Sequence, residues 1–346
     1  MSPGGIDIGS VEPFMAAAVQ AAPVYLDATA TVEKACGLIE QAAGDGARII
    51  AFPEVFVPGY PYWNWVMSPL AASPMFEELF LASIDVPGPE VERLCAAAAA
   101  HRIHVVIGVN ERDANSAGTI YNSVLVIDDK GTLLGVHRKL VPTWAEKLTW
   151  GFGDGSSLRV YPTGVGPLGV LACGENTNPL ARFSLLAQGE LVHVMNYIAL
   201  PVAPAGYDMS EAIALRARAH CFEGKVFTIV SCSTIDQAII EKVAGEDQVI
   251  REMFQRPNSA LSGICDPTGK FISDVLIDEE GITYAEIDLR QCIQPKQMHD
   301  IVGHYNRFDI FDLQVDARPW RAIGIDGSMR PVSPTAEPTN PGATLG

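Results

Sequence analysis

Four side chains have types and settings that could do chemistry: Glu54, Lys139, Glu146 and Cys173. Cys173 follows a short apolar run over residues 168–172 and precedes apolar residues at helical spacing over 178–188. That pattern predicts a strand, a turn and a helix. A cysteine on such a turn presents its sulfur beyond the sheet edge. The free amides of a helix start favour the thiolate, so a lowered thiol pKa is expected. An inert cysteine closing a buried strand has the same local sequence. Glu54 lies just past the apolar run 48–52, at a sheet edge of the kind where α/β proteins place ligands. Lys139 follows the run 132–136, in His137-Arg138-Lys139, where a solvated turn lysine would look the same. Together the three are what a cysteine hydrolase without histidine requires. A carboxylate accepts the thiol proton. An ammonium steadies the thiolate and the charge that develops on the attacked group. A second carboxylate, Glu146, can fix the lysine and orient water.

Other readings of the same residues stay open. Histidine is the usual general base, and His137 falls on the same face of an extended strand as Lys139. His304 is the other candidate for a Cys–His hydrolase, and it is also placed to order the C-terminal segment. His220 and Cys221 adjoin on a helix and face apart, which reads as structural. Asn122 and Ser123 interrupt an apolar strand, either at the site or at an edge. The loop 55–74 is crowded with Tyr60, Tyr62, Trp63 and Trp65, which either plug a core or line a pocket. Tyr60, Trp63 and Trp144 are expected as walls for an apolar substrate. Gly174 and Asn196, the latter ending an apolar run over 191–195, complete the expected substrate contacts.

The elements that must position these groups alternate along the chain. Strands are predicted over 14–21, 48–52, 103–110, 119–127, 132–136, 158–161, 168–172, 191–195 and 225–231. Helices are predicted over 29–43, 75–83, 89–101, 178–188 and 210–223. Residues 259–265, 270–277 and 281–287 read as a three-stranded meander, and 235–257 as a polar excursion with a helical piece. The order makes the fold α/β with mixed sheets. No composition break divides the chain. One domain is expected over 13–315, with a disordered leader 1–12 and a largely irregular, proline-marked tail 316–346.

Composition narrows the function. Apolar residues make up 48% and charged residues 19% of 346, which supplies a large core. A net charge of -17 disfavours nucleic acid and anionic membranes as partners. Seven scattered cysteines, an odd count with no C-x-x-C pair, argue against a disulfide framework and a thiolate zinc site, and suit a cytoplasmic location. No signal-peptide pattern opens the chain, and no apolar run approaches the roughly 18 residues of a membrane span. No strand is followed by a GxGxxG or GxxxxGK[ST] loop, which disfavours a nucleotide-binding protein.

The blocks FPEVFVPGYP (52–61), HRKLVPTWAEKLTWGFGDGS (137–156), CGENTNPLARFSLLAQGE (173–190) and GHYNRFDIF (303–311) resemble, in order, those of the nitrilase branch of the carbon–nitrogen hydrolase superfamily. The likeness runs over roughly residues 12–315. It implies a four-layer αββα sandwich with two mixed β-sheets. It implies a catalytic set of Glu54, Lys139 and Cys173, with Glu146 as the family's second glutamate, and no departure at these positions. Gly174 stands where many relatives carry tryptophan, which alters the pocket. The implied reaction turns a small-molecule nitrile into a carboxylic acid and ammonia through a thioimidate and a thioester, with no metal or cofactor. The aromatic loop suggests an aryl or arylaliphatic nitrile. An amidase or carbamoylase, a cyanide-converting enzyme, and a non-catalytic assembly protein on the same fold are the alternatives. The resemblance also implies homo-oligomers, dimers that grow into spirals, with 235–257 and 291–312 as candidate contact segments.

Overall fold

The apolar runs form strands whose side chains divide by parity. In β1 (Phe14–Gln20), Phe14, Ala16 and Ala18 enter one core while Ala17 and Val19 enter another. Strands β2 (Ala47–Ala51), β3 (His104–Arg112) and β4 (Ile120–Ile127) divide the same way: Ile49, Val106 and Val124 on one side, Ile50, Val105 and Leu125 on the other. A sheet apolar on both faces needs cover on both. On one face lie α1 (Ala28–Gly44) and α3 (Pro89–His101), through Val32, Ala35, Ile39, Val91, Leu94 and Ala98.

The other face meets a second sheet. β7 (Gly166–Ala172), β8 (Val192–Tyr197), β9 (Phe227–Cys232) and β10 (Leu261–Cys265) contribute Leu168, Val170, Val192, Val194, Phe227, Ile229 and Ile264 to this middle core. Their opposite faces turn Met195, Tyr197, Val230 and Cys232 toward α5 (Met209–Gly224), and Leu171 toward α4 (Pro179–Ala187). The result is the expected helix–sheet–sheet–helix sandwich. This computed structural model describes residues 8–204 and 206–320.

Both sheets are mixed. The first runs in the order β5-β4-β3-β2-β1-β12, adding β5 (Leu133–Arg138) and β12 (Gly281–Ile287); the second runs β6-β7-β8-β9-β10-β11, adding β6 (Tyr161–Thr163) and β11 (Leu276–Ile277). β1, β2 and β3 are parallel, as are β7, β8 and β9, and the flanking pairs are antiparallel. A single residue pair, Gln20 with Cys232, joins the two sheets between β1 and β9.

The expected meander is not formed. β10 pairs with β11, but β12 crosses to the first sheet and pairs with β1 over its whole length, Phe14 opposite Ile287. Tight turns are local signals, whereas the open edge of β1 that takes β12 is set near the other end of the chain. The aromatic loop is also shorter than expected. Helix α2 (Pro69–Ala82) starts within it, because the Ser68 side chain caps the first turn and Pro69 suits a helix's first position. The polar excursion holds two helices, α6 (Gln237–Ala244) and α7 (Gln248–Phe254), and a short α8 (Ile293–Met298) follows β12. Of the expected leader, Ile8–Ser10 forms a 3-10 turn, and Ile8 and Val11 pack on the middle core. Residues 1–7, and 321–346 of the expected tail, lie outside the described residues. Among the described residues no helix is long and apolar enough to cross a membrane.

Candidate active site

Three of the four expected groups form one buried hydrogen-bonded cluster. Glu54 follows β2 and is anchored by its own amide on the Tyr197 carbonyl (3.2 Å). Its Oε1 accepts from Lys139 Nζ (2.8 Å) and from Asn122 Nδ2 (2.7 Å). Lys139, one residue past β5, also donates to Glu146 Oε2 (2.7 Å). Glu146 belongs to a 3-10 turn (Trp144–Leu148). The same Oε2 caps that turn by accepting from the Thr143 amide (2.6 Å), while Oε1 accepts from the Tyr60 hydroxyl (3.0 Å). Glu146 thus binds its own loop and the lysine through one oxygen.

Burial sets the electrostatics. Glu54, Lys139 and Glu146 are at most 2% exposed. Burial raises the Glu54 pKa above the ordinary carboxylate range, although the Lys139 ammonium opposes it. For Lys139, burial alone would release the proton, but Glu146 and Glu54 outweigh it and hold the pKa well above normal. Lys139 is therefore a fixed cation. The second Glu54 oxygen, Oε2, is buried with no partner, as are Asn122 Oδ1 and Asn196 Oδ1. Unpaired buried acceptors are costly. The free oxygens of Glu54 and of Asn122, which is bonded to it, leave lone pairs to take a proton or bind water.

Cys173 begins a 3-10 turn (Cys173–Thr177) directly after β7, with φ +47°, a left-handed backbone that costs a side-chain-bearing residue. Two buried side chains hold this turn. Glu175 accepts from the Ala172 amide (2.8 Å), the Leu140 amide (2.6 Å) and His137 Nε2 (2.9 Å). Asn176 donates to the carbonyls of Leu171 (3.0 Å) and Cys173 (3.1 Å). Glu175 is held below its normal pKa: burial raises it, but His137 and the two amides prevail.

The expected low thiol pKa is not found. Burial first, then the Glu54 carboxylate, push Cys173 well above its ordinary value, and Lys139 only partly offsets them. A five-residue turn offers too few aligned amides to outweigh burial and a facing carboxylate. The resting group is the thiol, within electrostatic reach of Glu54, Lys139 and Glu146. At 9% exposure Cys173 is also the member of the set nearest to open space.

The remaining candidates separate. Trp144 (76% exposed) and Gly174 line one groove of about 280 Å³ with Leu140, Thr143 and Lys147. Trp144 stands edge-on to Trp65 at 5.6 Å. Trp63 is not a pocket wall: it is fully buried beside Tyr25 and plugs the core under the loop. Tyr60 is buried as well, and meets the site through its hydroxyl on Glu146. Asn196 is buried and donates to the Phe52 carbonyl, so it ties the segment between β2 and Glu54 to β8 rather than lining the groove. Register puts Asn196 beside Ala172, next to the cysteine. His137 is committed to Glu175 beneath the turn, and His304 is exposed in the C-terminal segment.

Three residues escaped the sequence reading: Glu175, Asn176 and His193, the last on β8. The signal for His193 was its place as a polar residue inside the apolar strand VHVMNY, the same kind that singled out Asn122.

The carbon–nitrogen hydrolase family model matches residues 15–297. A nitrilase of Paraburkholderia phymatum is 35% identical over 304 residues, covering 88% of this chain and 87% of that protein. An aliphatic nitrilase of Rhodococcus rhodochrous is 38% identical over 312 residues, covering 88% and 83%. Among solved structures, a carbon–nitrogen hydrolase from Helicobacter pylori G27 superposes with TM-score 0.65 at 20% identity, over 83% of this chain and 93% of that one. A Saccharomyces cerevisiae member of branch 10 of the nitrilase superfamily gives 0.64 at 20% identity, over 83% and 94%.

Proposed function

The chain belongs to the nitrilase branch of the carbon–nitrogen hydrolase superfamily, and from that membership we propose that it hydrolyses an organic nitrile with Cys173 as nucleophile. The observation that carries this reading is the unpaired Glu54 Oε2 within electrostatic reach of a thiol that burial keeps protonated. Glu54 takes the thiol proton, and the sulfur adds to the nitrile carbon. The developing charge on nitrogen is met by the Lys139 ammonium and by the Gly174 backbone N–H. Glu54 returns the proton to that nitrogen, giving a thioimidate. Water, deprotonated by Glu54 and oriented by Glu146, adds to the carbon. Collapse expels ammonia and leaves a thioester, and a second water releases the acid and restores the thiol. Two waters are consumed for each nitrile.

The aromatic loop favours an aryl substrate less than its composition suggests, since Tyr62 and Trp63 are core residues. Trp144, with Trp65 packed edge-on against it, is the aromatic side chain lining the groove, which suits an arylaliphatic nitrile. Relatives described as aliphatic nitrilases favour an aliphatic one. Ammonia release from phenylacetonitrile, an aliphatic dinitrile, cyanide and the matching amides separates these. Amide turnover far above nitrile turnover overturns the nitrilase reading. Cys173→Ala is expected to abolish ammonia release while the thermal transition stays in place; surviving activity overturns the thiol mechanism. Seven free cysteines support a reducing, cytoplasmic setting.

A further inference from the structure

A buried hydrogen-bond chain ends on the nucleophile's own carbonyl, and the reaction above makes no use of it. His220 Nε2, on α5, donates to Glu190 Oε2 (3.1 Å). Glu190 Oε1 faces His193 Nδ1 at 2.5 Å. His193 Nε2 meets Asn176 Oδ1 (2.9 Å), and Asn176 Nδ2 donates to the Cys173 carbonyl (3.1 Å). All four side chains are at most 1% exposed. Gly169 leaves the room this requires: a Cβ there would stand 1.7 Å from Glu190 Oε1.

The proton positions follow by elimination. Asn176 gives its amide hydrogens to the Leu171 and Cys173 carbonyls, so its Oδ1 accepts, and His193 Nε2 carries a hydrogen. The Glu190 carboxylate oxygen Oε1 accepts from His193 Nδ1. His220 donates from Nε2, which matches its Nδ1 being buried without a partner. The ligand atoms of Glu190, His193 and His220 converge within 4.8 Å, close enough for a cation, but both carboxylate oxygens already face ring nitrogens at hydrogen-bond distance. From His193 onward every donor points toward the cysteine. The chain passes through the Cys173 carbonyl into the peptide whose other end is the Gly174 N–H. That N–H is the second amide of the 3-10 turn, where a helix leaves its amides without internal partners. Hydrogen bonds in series polarise one another, and a bond to a peptide carbonyl makes the same peptide's N–H a stronger donor.

We propose that Glu190, His193 and Asn176 are positioning residues: a relay that holds and polarises the Cys173–Gly174 peptide so that its N–H, with Lys139, meets the charge developing on the attacked atom. The proposal rests on Cys173 being the nucleophile. The relay acts on charge that exists only once the thiolate has added. It therefore lowers the barrier of addition rather than tightening substrate binding.

The test compares two reactions at the same sulfur. Acylation by p-nitrophenyl acetate passes through an oxyanion; alkylation by iodoacetamide forms none, its charge leaving with the displaced iodide. Both rates are measured in the full chain, with the Cys173→Ser protein as the background for other thiols. In Glu190→Gln, which keeps side-chain volume, acylation is expected to slow about tenfold, a fraction of the loss seen when an oxyanion donor is removed outright, and alkylation to stay within about twofold. His193→Leu is expected to lose more. His193→Gln, whose amide can still donate to Asn176, is expected to regain part of the loss, and with Glu190→Gln it carries the test should His193→Leu not fold. Acylation and alkylation falling together would mean a merely structural role and overturns the proposal, as does unchanged acylation in all variants. Because an ester is the probe, this result is independent of whether the wild-type protein releases ammonia from a nitrile.

Discussion

Glu54 is a carboxylate used by halves. One oxygen is bound by Lys139 and Asn122, and the other is left free in a buried place. Since burial raises its pKa, the base form is lost, as pH falls, above the ordinary carboxylate range of about 4.3. The acid limb of kcat/KM should reflect that. Asn122 stabilises the charged form, so Asn122→Leu is expected to move the limb to higher pH and to lower kcat at neutral pH by about tenfold. A limb that does not move excludes Glu54 as the titrating base. Much of this scale was legible beforehand: Glu54, Lys139 and Cys173 each end an apolar run, and a strand end is where such a group can reach a cleft. Trp63 and Asn196 were not. A side chain's direction in a loop or at a strand end is decided by what packs on it, and composition alone treats a core plug and a pocket wall alike.

At the scale of elements, two turns shape the groove. The turn holding Glu146 and the turn opening at Cys173 face each other across the groove, and Gly174 touches the first: a Cβ there would lie 2.9 Å from Thr143 Oγ1. Gly174→Trp would fill much of that space. We expect KM for an arylaliphatic nitrile to rise about tenfold or more, by loss of a volume the ligand needs, while a small aliphatic nitrile is affected far less. Equal effects on both would show that this groove is not the substrate's. The elements themselves were legible where periodicity was strong, as in α1, α3 and β4. β12 was misplaced because its partner β1 lies at the other end of the chain, and the start of α2 was hidden among aromatics whose cap, Ser68, is one residue.

For the whole molecule, the buried Glu190–His220 pair predicts acid sensitivity. Burial raises Glu190, but His193 and His220 prevail and hold it at about 2; burial and His193 bring His220 down to about 4. Unfolding returns each toward ordinary values of about 4.3 and 6.5. The stability from Glu190 is complete above the ordinary carboxylate value and is lost as pH falls through 2. His220 must stay neutral in the fold, so stability also falls between about pH 6.5 and 4. At about 1.4 kcal/mol per pH unit, each group is worth roughly 3 kcal/mol over its window. Thermal melts of His220→Asn are expected to lose less between about pH 6.5 and 4, keeping the share of His104, which burial also lowers; melts matching the wild-type slope there would contradict it. We also propose that the chain self-associates through its last described residues. Phe308, Ile310, Phe311, Leu313 and Val315 are exposed, an apolar density that isolated subunits rarely show. Light scattering of a chain ending at residue 298 is expected to give smaller particles than the full chain, and an unchanged mass would argue against this arm.

The two sheets pack face to face but are joined edge to edge by one residue pair, and the candidate catalytic set is divided between them. Glu54 and Lys139 follow strands of the first sheet, while Cys173 follows a strand of the second. Neither sheet owns a complete reaction. Turnover in this design is a coincidence signal: it requires both sheets formed and docked in register, so a partly folded chain with its thiol exposed would be chemically silent toward its substrate. Cut between β5 and β6, the chain would yield two fragments, each inert alone, whose recovered activity would count how often the sandwich closes.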